Sequence, residues 1–193
     1  MIPTCTTFDT TLEKEFISVH SVQGQFEENF FDNNLTELNH KLEDGLEGKS
    51  CVDLQRKLSK SKRYQVGTVS AITVDQRRYY FTAIADVNEK GVPENATVEN
   101  IDKAIYGVWN EIRQCGHNES LAMPLIGTGR AGIPDAKVED VIKRVIDSFI
   151  YDVRGNTRQA TNKLIICVYP TDFDKLDDVD DIVRYLDYSC RYK

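Results

Sequence analysis

The segment Pro124-Leu125-Ile126-Gly127-Thr128-Gly129-Arg130-Ala131-Gly132 constrains the fold more than any other part of the chain. It continues an apolar run that begins at Leu121 and precedes a helical stripe that begins near Val138, so it reads as the turn between a buried strand and an amphipathic helix. Three glycines in six residues let the backbone approach a ligand closely, and successive N–H groups beside a helix start form an anion-binding hollow. Phosphate is the natural guest, with Thr128 adding a hydroxyl and Arg130 a charge. The glycine spacing fits neither a P-loop nor a dinucleotide-binding fingerprint. A plain strand-to-helix turn is the alternative reading.

Helical periodicity recurs four times: at Leu35, Leu38, Leu42 and Leu46; from Val98 through Val108, Trp109 and Ile112; from Val138 to Phe149; and at Val179, Ile182, Val183 and Leu186. Each stripe needs a core to cover it. Residues 65–74 and 77–86 are β-rich runs joined by a short polar turn, which predicts a hairpin. Residues 121–126 and 163–169 are short apolar runs flanked by helices, as expected of central strands covered on both faces. Together they predict an α/β fold with a mixed sheet between helices, whose ligand sites lie beyond the carboxyl ends of the strands.

At 193 residues the chain has length for one sizeable core, so a single domain over 1–193 is expected. Its formal charge of −7 opposes nucleic acid. The one basic run, Arg56, Lys57, Lys60, Lys62 and Arg63, has no interleaved aromatics and reads as a solvated face. Five scattered cysteines, without paired spacing, suit a reducing compartment and no metal site. Cys167, inside Leu164-Ile165-Ile166-Cys167-Val168, is expected to pack as a buried small hydrophobe. The chain has neither a long apolar span nor a signal peptide, so a soluble cytoplasmic domain is expected. The acidic series from Asp172 to Asp181 lacks the pattern of a calcium loop and suits a helix start.

A second loop, His20-Ser21-Val22-Gln23-Gly24-Gln25-Phe26, sets one glycine among polar side chains before a further helical region and could close over a ligand from the opposite side.

These residues resemble a known family. An apolar strand, Pro-Leu-Ile-Gly-Thr-Gly-Arg-Ala-Gly, an amphipathic helix and a last strand look like the phosphate loop of macro domains, which bind ADP-ribose and its derivatives. More narrowly, Phe8-Asp9-Thr10, the run from Ile17 to Phe26, Tyr64-Gln65-Val66-Gly67-Thr68-Val69 and Tyr79-Tyr80-Phe81-Thr82-Ala83 are similar to the divergent macro domains of Thoeris anti-phage membrane effectors. The resemblance covers most of the chain. It implies a three-layer α/β/α sandwich with a mixed central sheet. It also implies phosphate contacts from Leu125, Gly127, Thr128, Gly129, Arg130, Ala131 and Gly132, with Ser21, Val22, Gln23, Gly24 and Gln25 closing from the other side. Tyr169 and Phe173 leave the last strand where such domains stack adenine, and Asp9 and Asp86, at strand ends, become candidates for ribose or ligand-amine contacts.

In those effectors the domain follows membrane helices and senses an ADP-ribose conjugate, such as a histidine conjugate, made from NAD by a TIR-domain partner. The resemblance therefore implies a sensor domain excised from a longer inner-membrane protein, with a nucleotide ligand, no further cofactor and self-association left open. The chain begins at Met1-Ile2-Pro3-Thr4, about where the second strand of the family is expected. Catalytic macro domains resemble one another in an Asn-rich strand end and a four-glycine first loop, whereas this chain has Thr4-Cys5-Thr6-Thr7 and Gly24 alone. Binding without turnover is the expectation; an ADP-ribosyl hydrolase is the alternative and a protein-interaction module a third reading. Ser21, Gln23 and Gln25 are expected to offer hydrogen bonds to a group attached beyond the distal ribose.

Overall fold

The computed structural model describes residues 1–11, 17–32, 34–55, 60–88, 93–94, 96–127, 132–133 and 136–193. Its longest strand, β5 (Arg77–Val87), pairs with β4 (Val69–Val74) antiparallel and with β1 (Ile2–Cys5) parallel, so the sheet is mixed. Asp75 and Gln76, at φ 47° and 61°, turn β4 into β5, the paired left-handed residues that match a tight turn to strand twist. The first strand of this hairpin starts at Val69 rather than Gln65, because Gly67 at φ 89° bends the chain there. β7 (Leu121–Pro124) and β8 (Leu164–Cys167) form a parallel pair. The Met1 ammonium donates to the Ala122 carbonyl at 2.7 Å, which sets β1 beside β7. A two-residue β6 (Pro93–Glu94) pairs with the end of β5, and β2 (Cys51–Asp53) with β3 (Lys62–Tyr64) makes a small separate hairpin.

Side chains of a strand alternate between faces, and β4 and β5 divide the core accordingly. Ile72, Phe81 and Ala83 face one cluster with Leu38 and Leu42 of α2 (Leu35–Gly45) and Phe26 of α1 (Val22–Phe31). Val69 and Tyr80 face the other, with Ile105, Val108 and Trp109 of α3 (Val98–Cys115) and Val141, Ile142 and Val145 of α4 (Val138–Gly155). Helices on both faces of one sheet make the expected α/β/α sandwich. α3 and α4 are tied by Trp109 Nε1 donating to Ser148 Oγ at 2.8 Å and by the Arg113–Asp152 ion pair. The short α5 (Pro170–Phe173) leads to α6 (Val179–Tyr192), where the Asp178 side chain accepts from the Asp180 N–H and Asp181 lies in the first turn. The acidic series thus serves a helix start.

Three expectations need correction. The fourth apolar stripe is covered at Ile182 but exposed at Val179, Val183 and Leu186, because α6 packs on α4 along its Ile182, Tyr185 and Ser189 side. β8 is exposed at Ile165 and Cys167, so it is half-covered and the Cys167 thiol is not buried. Its only ladder partner among the described residues is β7, and α6 packs on α4 instead of over this face. Lys60 is not part of a solvated basic face: it is half-buried and its backbone N–H donates to Asp9 Oδ1 at 3.0 Å, while Lys62 and Arg63 are exposed on β3. Arg56 and Lys57 lie outside the described residues. No described helix is long and apolar enough to cross a membrane.

Candidate ligand-binding cleft

β1, β7 and β8 end at one side of the sheet, and their carboxyl ends open into a cleft of about 550 Å³. That volume suits a small-molecule site. One wall is the turn after β7, from Pro124 to Gly127, and the opposite wall is the start of α1, from Ser21 to Gln23. Cys5 of β1 and Ile84 of β5 contribute to the floor, and Tyr169, Pro170 and Asp172 stand at the end of β8.

Each wall has a physical reason to sit where it does. Gly127 adopts φ 87°, a conformation that L side chains resist, and this reverses the chain. Leu125 N–H donates to the Cys167 carbonyl and Ile133 N–H to the Gly127 carbonyl, so both ends of the turn are fixed. On the facing wall Ser21 caps α1: its hydroxyl accepts from Gly24 N–H at 3.0 Å and donates to the Ser18 carbonyl at 2.6 Å. The first turn of α1 carries no acidic side chain. Its amino end therefore presents partial positive charge toward the cleft with no carboxylate in its own first turn.

The structure brings Ser21, Val22, Gln23, Leu125, Gly127 and Tyr169 together around this cleft. Thr128, Gly129, Arg130 and Ala131 lie outside the described residues, and Gly132 is exposed and not among those lining the cleft. Asp9 does not line it either; its carboxylate accepts from the Thr7 hydroxyl at 2.5 Å and from Lys60 N–H. Asp86 accepts from the Thr6 hydroxyl at 2.6 Å, a bond between β5 and the end of β1. Phe173, one turn beyond Tyr169 on α5, is half-exposed away from the cleft. Gly24 and Gln25 follow the cleft wall along α1 without lining it.

The expected hydrogen bonds from the first loop are already engaged within the protein. Ser21 Oγ bridges Ser18 and Gly24, Gln25 Nε2 donates to the His20 carbonyl, and Gln23 Nε2 donates to the Asp9 carbonyl at 2.7 Å and to Glu27 Oε1 at 2.9 Å. A helix start and a buried acid compete for these side chains, which sequence spacing alone does not reveal. Cys5, Ile84 and Asp172 are cleft residues that sequence reading did not assign, and His20, which it placed in the second loop, lines the cleft too. Cys5 was legible in principle, since β1 ends there and ligands gather at strand ends. Its thiol is pushed up by burial and then by the nearby Asp9, so it stays neutral and is no ready nucleophile.

Behind the α1 wall, Glu27 is fully buried, and its Oε2 has no hydrogen-bond partner among the described residues. Burial pushes its carboxyl up to about 7, against the Gln23 hydrogen bond and the Lys60 charge, which pull it down. Because the folded acid holds its proton more tightly than the unfolded one, its contribution to stability is full below the unfolded value of 4.5 and is lost as pH rises through about 7. Glu27→Gln should therefore match wild type near pH 4.5 and gain about 3 kcal/mol on it above pH 7. Thermal melts at the two pH values check this; a difference that does not change with pH would show that burial does not govern this carboxyl.

A glycine turn facing a helix start, across a cleft at the strand ends of a mixed sheet packed between helices, is the layout of a macro-type α/β fold. A family model described as Thoeris protein ThsA, Macro domain, matches residues 1–169, and the chain belongs to that family. No curated protein matches the sequence.

Proposed function

We propose that the cleft binds an ADP-ribose-derived nucleotide, a conjugate that a TIR-domain enzyme makes from NAD, and that occupancy is the signal read by an anti-phage effector. The observation that carries this reading is the pairing of the Gly127 turn with the amino end of α1 across one cleft. A glycine turn and a helix amino end on opposite walls suit a diphosphate, which needs several donors and little side-chain chemistry. Family membership supports the nucleotide class. Tyr169, exposed at the end of β8 and lining the cleft, offers an aromatic face for a base. Since Ser21, Gln23 and Gln25 are engaged internally, discrimination among conjugates falls to the cleft's shape and to His20 and Tyr169 at its rim. The domain binds without turning its ligand over and needs no cofactor, and membrane attachment belongs to the full-length effector.

Calorimetric titration with ADP-ribose and with its histidine conjugate, followed by mass spectrometry of the recovered ligand, tests this. Binding of both, tighter for the conjugate, with intact ligand recovered, is the expected result. Released ADP-ribose would make the domain a hydrolase, and no heat with either compound would remove the nucleotide reading altogether.

A further inference from the structure

The helix that forms one wall of the cleft also holds a buried acid. Ser21 caps α1, and Val22 and Gln23 line the cleft from its first turn. Glu27 stands one turn further along the same helix, about 6 Å of axis from Gln23. It is fully buried, and Gln23 links it to the cleft: the Gln23 amide nitrogen donates to Glu27 Oε1 at 2.9 Å and to the Asp9 carbonyl at 2.7 Å. Glu27 Oε2 has no hydrogen-bond partner among the described residues, and neither has the buried Lys60 Nζ, whose charge reaches Glu27.

A carboxyl held in this way stands near balance between its charged and neutral forms. Burial pushes it up to about 7, against the Gln23 bond and the Lys60 charge. Burial also pushes the Lys60 ammonium down, against Asp9 in the loop after β1, Glu43 of α2, Cys5 of β1 and Glu27 itself, which pull it up. A ligand anion at the amino end of α1 adds negative charge on the same helix, with packed protein between it and Glu27. Repulsion through a dry interior is weakly screened, and a like charge nearby favours the neutral acid.

We propose that ligand binding in this cleft is linked to protonation of Glu27: a proton passes from solvent to the Glu27 carboxylate as the anion docks on α1, because the two negative charges exclude one another. This linkage rests on the nucleotide reading and adds a regulation to it. The neutral form of Glu27 is the one that binds well. Affinity is therefore highest below about 7, the value of the free acid, and falls as pH rises beyond it, until the bound form loses its proton as well. One ligand concentration fills the cleft more fully in slightly acidic than in slightly alkaline solution.

Calorimetric titration of the whole chain with ADP-ribose at about pH 6.5 and about pH 8.5 tests it, on either side of the free acid. The dissociation constant should be at least about fivefold higher at the alkaline value. Between the two, titrations in buffers of different ionisation enthalpy should show uptake of part of a proton for each ligand bound. Glu27→Gln should bind equally well at both pH values and take up no proton. His20→Gln removes the histidine that lines the cleft and should keep the pH dependence, whatever it does to the affinity itself. A wild-type affinity indifferent to pH, a dependence that survives in Glu27→Gln, or one that vanishes in His20→Gln would each overturn the linkage and leave the nucleotide reading standing. No binding at either pH would overturn both.

Discussion

Gly107→Ala should lower the melting temperature by roughly 4–8 °C, although alanine is ordinarily the better helix former by about 1 kcal/mol. Gly107 lies within α3, where the helix crosses the turn at Gly67, and a Cβ there would stand 1.9 Å from the Gly67 carbonyl oxygen. Gly67 is equally constrained: it adopts φ 89°, and a Cβ on it would lie 2.5 Å from the Lys103 carbonyl oxygen. Neither neighbour is a flexible side chain, so the helix or the turn must move as a unit. Overpacking of that kind costs about 3 kcal/mol or more, which outweighs the propensity gain. Gly155→Ala is the matched control, because its Cβ would meet nothing closer than Tyr151 at 3.9 Å. Calorimetric melts of both variants decide the matter, and a Gly107→Ala protein that melts with the control would show that the crossing is loose.

Gly24→Ala should spare the fold and lose the ligand, raising the dissociation constant about five- to a hundredfold. A Cβ at Gly24 would lie 2.3 Å from the Ser18 carbonyl oxygen and 2.9 Å from Val19 Cα. Those residues belong to the short segment that forms the cleft wall before α1, and Ser18, His20 and Ser21 all line the cleft. In the free variant the segment relieves the overlap by moving, at the expense of the Ser21 hydrogen bonds to Ser18 and Gly24. Ligand binding would require it to return, and the overlap of about 1–3 kcal/mol then appears as lost affinity. Titration of the folded variant with the ligand that wild type binds reads the effect directly. An unchanged affinity would mean that this wall does not close on the ligand.

Three of the four apolar stripes were legible in the sequence because burial at helical spacing leaves a pattern that tertiary context rarely reverses; the fourth, at Val179, Val183 and Leu186, is exposed. Trp109, Val145 and Leu38, buried in the two core clusters, are examples of the first three. The glycine turn after β7 was legible for the same kind of reason, since a strand, a reversal and a helix each need particular residue types. Exposure of β8 was not: Leu164-Ile165-Ile166-Cys167 reads as a central strand, yet whether a helix covers a face depends on where distant elements pack. The hairpin of β2 and β3 gave no periodic signal, since Cys51–Asp53 and Lys62–Tyr64 are three residues each and exposed except at Tyr64.

By itself, then, the sequence determined an α/β chain with helices ready to cover a mixed sheet and a glycine turn after β7, because periodicity and backbone freedom are local properties. Which side chains face the ligand was decided by tertiary structure. Gln23, polar and next to a glycine, looked available for recognition, but α1 lays it between the Asp9 carbonyl and the buried Glu27. Asp9 is likewise turned to Thr7 and the Lys60 backbone. Cys5 and Asp172, far apart in sequence, meet at the cleft only because β1 and β8 end on the same side of the sheet. A buried polar group takes whatever partner the fold brings within reach, since leaving it unpaired costs about 1–3 kcal/mol, and that choice is made across the chain rather than along it.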